Sequence, residues 1–99
     1  MAKRESEFQA RLIRRIKSEI PGVTVLKNDA NYIQGFPDLT ILHDNRFAIL
    51  ENKRSSSASH RPNQDFYIRK FDSNGAFSVF MDPEHEEEIM CGLKAYFLG

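Results

Sequence analysis

The chain has 99 residues, 40 % of them hydrophobic, with 14 Lys/Arg balanced by 14 Asp/Glu and one cysteine. That size suits a single domain spanning residues 1–99 with one core, and the lone Cys91 excludes an internal disulfide framework. No run reaches the ~18 apolar residues of a membrane span, and the start Met-Ala-Lys-Arg-Glu has no apolar leader, so a soluble cytoplasmic protein is expected.

Zero net charge hides an uneven distribution. Residues 1–70 hold 13 Lys/Arg against 8 Asp/Glu, while residues 71–99 hold 1 against 6. The basic part would suit a phosphate-binding surface.

The first element is a helix over residues 4–19, with Phe8, Leu12, Ile13, Ile16 and Ile20 at helical spacing and Pro21-Gly22 ending it. Residues 23–26 read as a strand, followed by a polar loop to Gly35. Residues 38–42 and 47–53 read as a hairpin across Asp44-Asn45. Ser55-Ser56-Ser57-Ala58-Ser59 reads as a mobile loop. Pro62 opens a second helix that runs to about Phe71, with Phe66, Tyr67 and Phe71 as its apolar residues. Asn74-Gly75 turns into a fourth strand, Ala76 to Met81. Asp82-Pro83-Glu84 then begins the last helix, which buries Ile89, Met90, Leu93 and Phe97. The order α-β-β-β-α-β-α implies an α/β fold with a mixed central sheet flanked by helices.

The hairpin carries the chemistry. A two-residue loop at Asp44-Asn45 pairs His43 with Arg46 and Leu42 with Phe47, and counting outward sets Asp38 opposite Glu51. Opposed residues have Cβ atoms about 5 Å apart, and the strand period puts Glu51 and Lys53 on one face. A three-residue loop would break this register. Two carboxylates in opposition are destabilising unless a cation neutralises them. Oxygen ligands suit Mg²⁺, with Mn²⁺ able to substitute, and the backbone carbonyl of Asn52 could add a further ligand. Such a metal would activate a water for attack on a phosphate, and Lys53 could orient that water or offset developing charge. The plain alternative is a Glu–Lys surface pair beside an Asp in a turn.

Gly35-Phe36-Pro37-Asp38 followed by Glu51-Asn52-Lys53 resembles the Gly-x-Pro-Asp and Glu-x-Lys motifs of the PD-(D/E)xK nuclease superfamily, within it the small VRR-Nuc type related to Holliday-junction resolvases. The resemblance covers roughly residues 5 to 80. Glu5 with Gln9 and Leu12 is similar to the first-helix pattern, and Gln64 to the Gln that follows the catalytic strand. It implies a restriction-endonuclease-like fold and a metal-dependent DNA endonuclease acting on phosphodiester bonds, with branched DNA among its substrates. It further implies Asp38 and Glu51 as metal ligands, Lys53 as catalytic lysine, Glu5 as an additional acid at the metal, and Gln64 as a positioning residue. A homodimer and a bacterial or phage setting also follow from the resemblance alone. Glu5, Gln9, Leu12 and Ile16 share one helical stripe, as do Gln64, Tyr67, Ile68 and Phe71, with Glu7 the rival to Glu5.

Arg54, His60, Arg61, Lys27 and Asn28 are candidates for DNA contact, against the plain reading of a solvated charged loop. His43, His60 and His85 lack zinc-ligand spacing. The acidic run Glu84 to Glu88 reads as a helix N-terminus. A non-catalytic DNA-binding or assembly module on the same fold is the alternative.

Overall fold

Two apolar stripes and one tight turn set the architecture of the computed structural model, which describes the backbone of residues 3–99 and the side chains of residues 6–99. The elements are α1 (Lys3–Glu19), β1 (Thr24–Lys27), β2 (Leu39–His43), β3 (Arg46–Asn52), α2 (Pro62–Ser73), β4 (Phe77–Met81), a 3₁₀ turn (Pro83–His85) and α3 (Glu86–Leu98). The expected α-β-β-β-α-β-α order is the observed one. The strands form a single sheet in the order β1-β2-β3-β4. β1–β2 and β2–β3 are antiparallel and β3–β4 parallel, so the sheet is mixed. The parallel step needs a crossover, and α2 provides it.

The register turns on Asp44. Its φ of 53° lies in the left-handed region, which Asp and Asn enter more readily than other side chains. The resulting two-residue loop pairs His43 with Arg46, Leu42 with Phe47 and Leu39 with Leu50, as the count along the sequence requires.

Helices α1 and α3 cover one face of the sheet. Phe8, Leu12, Ile16 and Ile20 of the first helical segment meet Leu39, Ile41, Ala48 and Leu50 of the hairpin and Met90, Leu93 and Phe97 of α3. Each large side chain buried in this way contributes roughly 1.5–3 kcal/mol. The apolar surface of α3 thus completes the core. On the opposite face α2 buries Ile68, and its carbonyl there accepts a 2.8 Å hydrogen bond from Ser78 Oγ.

The last helix differs from expectation in its first turn. Pro83 opens a 3₁₀ turn, and Asp82 Oδ1 accepts the His85 N–H at 3.0 Å, so Asp82 caps that turn and α3 starts at Glu86. The acidic run does sit at a helix N-terminus, where the dipole favours it. It also does something the charge count did not reveal. Arg15 of α1 donates to Glu86 at 2.7 Å, to Glu87 at 2.6 and 2.9 Å, and to Glu19 at 2.7 Å, while Lys94 pairs with Glu19 at 2.9 Å. Part of the N-terminal basic excess therefore binds α1 to α3 and is not a free phosphate-binding surface. Among the described residues no helix is long and apolar enough to cross a membrane.

This ion network has a pH signature. Hydrogen bonds from Lys94 and then Arg15 hold Glu19 below its usual range, and Arg15 does the same to Glu87. A carboxylate depressed in the folded state contributes stability that is complete above its unfolded pKa, near 4.5, and lost as pH falls through its lower folded value. Arg15→Met is expected to lower Tm by roughly 4 °C at neutral pH. The difference should shrink as pH falls below about 4.5 and the depressed carboxylates protonate, as followed by thermal melts of both proteins across pH.

Candidate active site

At the end of the β2–β3 hairpin the backbone ladder gives way to side chains. One step beyond the Leu39–Leu50 pair, Asp38 N–H donates to Glu51 Oε1 at 3.1 Å and Asn52 N–H donates to Asp38 Oδ2 at 2.9 Å. Each acid thus braces the strand that carries the other. On its other side Asp38 is fixed through β1, since its carbonyl accepts the Asn28 N–H at 2.7 Å. The Asn28 side chain donates to the Pro37 carbonyl and to Thr40 Oγ1, both at 2.9 Å. The opposition of Asp38 and Glu51 counted from the turn is present.

Lys53 lies on the same side as Glu51, and Gln64 of α2 joins the two. Gln64 Nε2 donates to Glu51 Oε2 at 3.0 Å, while Gln64 Oε1 accepts from Lys53 Nζ at 2.7 Å and from the Arg61 N–H at 3.1 Å. Two donors on Oε1 and one acceptor at Nε2 fix the amide orientation. Lys53 also donates to the Ser59 carbonyl at 3.2 Å, and its ammonium lies 5.8 Å from the centroid of the Phe80 ring. Lys53 is 9 % exposed and Glu51 5 %, so the groups are buried but hydrogen-bonded, as buried charges must be.

Asp38, Glu51, Asn52, Lys53, Gln64 and Arg61 line one cleft of about 360 Å³. The donor set is all oxygen, two carboxylates plus the carbonyl of Asn52. The Asn52 N–H reaches Asp38, and the N–H and C=O of a strand residue point the same way, so that carbonyl faces the Asp38 side. This set suits a hard divalent cation such as Mg²⁺ or Mn²⁺.

Not every expected residue joins the cleft. The side chain of Glu5 lies outside the described residues; its stripe partners Gln9, Leu12 and Ile16 are buried against the sheet. Glu7, the rival acid, is exposed and shares a separate depression with Phe8, Arg11, Arg54 and Pro83. Arg54, exposed and next to Lys53 in the chain, lines that depression. Arg61 lines the carboxylate cleft, Lys27 is exposed at the end of β1, and His60 stacks on Phe80 at 3.8 Å with its Nδ1 3.3 Å from Asp65 Oδ1. The serine segment is tied where a loose loop was expected: the Ser56 N–H donates to Glu84 Oε2 at 2.7 Å, and Ser59 holds Lys53.

Three packing details had no clear signal in the sequence. The Asn52 side-chain amide is 3 % exposed, and among the described residues neither of its polar atoms has a hydrogen-bond partner. By strand alternation it projects opposite to Glu51, onto the face covered by α1. Asp82, Glu84 and His85 bring ligand atoms within 4.8 Å of one another. These three are already engaged in holding the fold, since Asp82 caps the turn and accepts from His85, and Glu84 holds Ser56. Gly35, the third feature, has φ +81°, and a Cβ there would sit 2.3 Å from the Asn63 Cβ. Only glycine lets the loop pass the start of α2 this closely.

The fold has solved counterparts. A structure described as a VRR_NUC domain superposes with a TM-score of 0.73 at 23 % identity, covering 97 % of this chain and 100 % of that one. A VRR_NUC domain protein gives 0.70 at 16 %, covering 97 % and 89 %. Archaeoglobus fulgidus Hjc, a Holliday junction resolvase from an archaeal hyperthermophile, gives 0.53 at 13 %, covering 78 % and 67 %. No family model matches the sequence, and no curated protein matches it. The chain has the VRR-Nuc, resolvase-like nuclease fold.

Gly35→Ala should cost about 2 kcal/mol or more in urea unfolding, because it adds backbone strain to a steric overlap. Gly75→Ala, at φ +90° with nothing within 4 Å of the added Cβ, separates the two effects and should cost less.

Proposed function

We propose that this chain is a divalent-metal-dependent endonuclease that hydrolyses DNA phosphodiester bonds, branched DNA included. The observation that carries the reading is the reciprocal bracing of Asp38 and Glu51 at one mouth of a cleft, with Lys53 linked to Glu51 through Gln64. A module that only binds DNA gains nothing from two acids facing phosphate, which would repel it. A nuclease needs them to hold a cation.

In this reading Asp38, Glu51 and the carbonyl of Asn52 would hold Mg²⁺ or Mn²⁺, and the first-helix acid Glu5 is a further candidate. Held there, such a cation would supply Lewis-acid polarisation of the phosphate and acidify the attacking water. The chain's own residues do the rest. Lys53, a cation on a flexible stem, faces the position where negative charge grows on the phosphorus oxygens. Gln64 keeps the ammonium and the Glu51 carboxylate at fixed separation, so neither swings away to form a direct pair. Arg61, at the cleft wall, and Lys27 contact flanking phosphates, and His60 adds a partial contact beside the Ser59 carbonyl. The likeness of fold to VRR_NUC domains and to a Holliday junction resolvase is consistent with this reading. A homodimer would supply one cleft for each of two strands.

The test is cleavage of hairpin, flap, four-way and linear duplex DNA with Mg²⁺, Mn²⁺ or chelator. The wild type should cut only with metal. Glu51→Gln and Lys53→Met should each slow cutting at least about 100-fold, while both remain folded and bind DNA in Ca²⁺. Binding without cutting under every metal would leave the non-catalytic module in its place.

A further inference from the structure

The loop between β1 and β2 carries exposed apolar side chains that the core does not use. Tyr32 is 83 % exposed and Ile33 37 %. The loop is nonetheless ordered by its own hydrogen bonds: the Asn31 N–H to Asp29 Oδ1 at 2.8 Å, the Tyr32 N–H to the Asp29 carbonyl at 3.1 Å, and the Phe36 N–H to the Ile33 carbonyl at 3.2 Å. Tyr32 is therefore an aromatic displayed on a fixed turn. With Asn28, Asp29, Ile33 and Phe36 it surrounds a largely apolar cavity of about 380 Å³, within the ~300–1,000 Å³ range of small-molecule sites.

This cavity adjoins the carboxylate cleft through a shared wall. Phe36 lines it on one side and, on the other, lines a space with Asp38, Glu51, Arg61 and Gln64. Phe36 is held in place by α2, with ring centroids 5.1 Å from Tyr67 and 5.8 Å from Phe71. The charges divide the two compartments. Among the described residues, Asp29 is the only charged one lining the apolar cavity, so a phosphate is repelled there, while Arg61 borders the cleft. An uncharged planar group joined to a phosphate in the cleft is the occupant that satisfies both.

We infer that the Tyr32 cavity is a nucleobase subsite, which receives one unpaired base adjacent to the phosphate held in the Asp38–Glu51 cleft. A base within duplex DNA keeps its faces stacked on its neighbours and cannot enter. An unpaired base in a flap, bulge or junction offers its face to Tyr32 at low cost. Asp29 adds a preference, because a carboxylate accepts from the exocyclic amine of cytosine, adenine or guanine, and thymine has none. The inference rests on the nuclease reading for the phosphate's position, and it assigns a structural reason for selecting branched over continuous DNA.

The test uses the full chain with DNA carrying 2-aminopurine, either unpaired or paired. In Ca²⁺ the wild type should quench the unpaired probe and not the paired one. Tyr32→Phe should retain the quenching, and Tyr32→Ala should abolish it. With Mg²⁺, the ratio of cutting rates for bulged over fully paired DNA should fall about tenfold in Tyr32→Ala and recover in Tyr32→Phe. Unchanged quenching and an unchanged ratio in Tyr32→Ala would overturn the subsite. So would a change in molar mass by light scattering without a change in quenching, which would make this surface a contact between copies of the chain. Quenching without cutting by the wild type would keep the subsite and remove the nuclease reading.

Discussion

The reciprocal pair of bonds at the end of the hairpin, Asp38 to Asn52 and Glu51 to Asp38, is the constraint on which the other features turn. Two carboxylates sit where a sheet would ordinarily pair apolar or neutral groups, and each takes a backbone N–H from the opposite strand. That arrangement holds only in one register. A slip of one residue would turn Glu51 and Lys53 to the α1 face and bring the Asn52 amide into the cleft. The left-handed Asp44 turn fixes that register from the far end of the hairpin, and Ile41, Ala48 and Leu50 hold it by burial on the α1 side. The turn, the core and the acids are therefore one mechanical unit.

Around this unit the electrostatics are divided by location. At the back of the molecule Arg15 is consumed by Glu19, Glu86 and Glu87, which ties α1 to α3. At the front Lys53 is shared between a backbone carbonyl and Gln64, neither of which carries a full negative charge. The lysine keeps its net charge for the cleft, which a direct ion pair would cancel. Phe80, paired in register with Glu51, stacks against His60 and lies beneath the Lys53 ammonium, so β4 also serves the cleft.

Most of the fold was legible because its signals are local. The α1 stripe of Phe8, Leu12, Ile16 and Ile20, the Asp44-Asn45 turn, Pro62 at the start of α2 and the Asn74-Gly75 turn each state their element within a few residues. Boundaries moved by one residue where strand ends meet loops, as at β1, observed as Thr24–Lys27. The Asp38–Glu51 opposition was legible because a two-residue turn converts a hairpin into a count. What stayed hidden depends on tertiary proximity. The partners of Arg15 lie 71 and 72 residues away, so the sequence showed a charge imbalance and not its internal cancellation. The tie from Glu84 to the serine segment spans 28 residues. Gly35 was visible as part of a motif, but the clash that any side chain there would make with Asn63 belongs to the packing of a loop against a helix start.

Cation binding at the Asp38–Glu51 end of the hairpin can be measured without any assay of cleavage. Anomalous diffraction from crystals of the chain grown with Mn²⁺ locates the ion directly. A peak is expected within coordination distance of the Asp38 and Glu51 carboxylates and of the Asn52 carbonyl. A peak only at Asp82, Glu84 and His85, or none near the hairpin at saturating Mn²⁺, would contradict it.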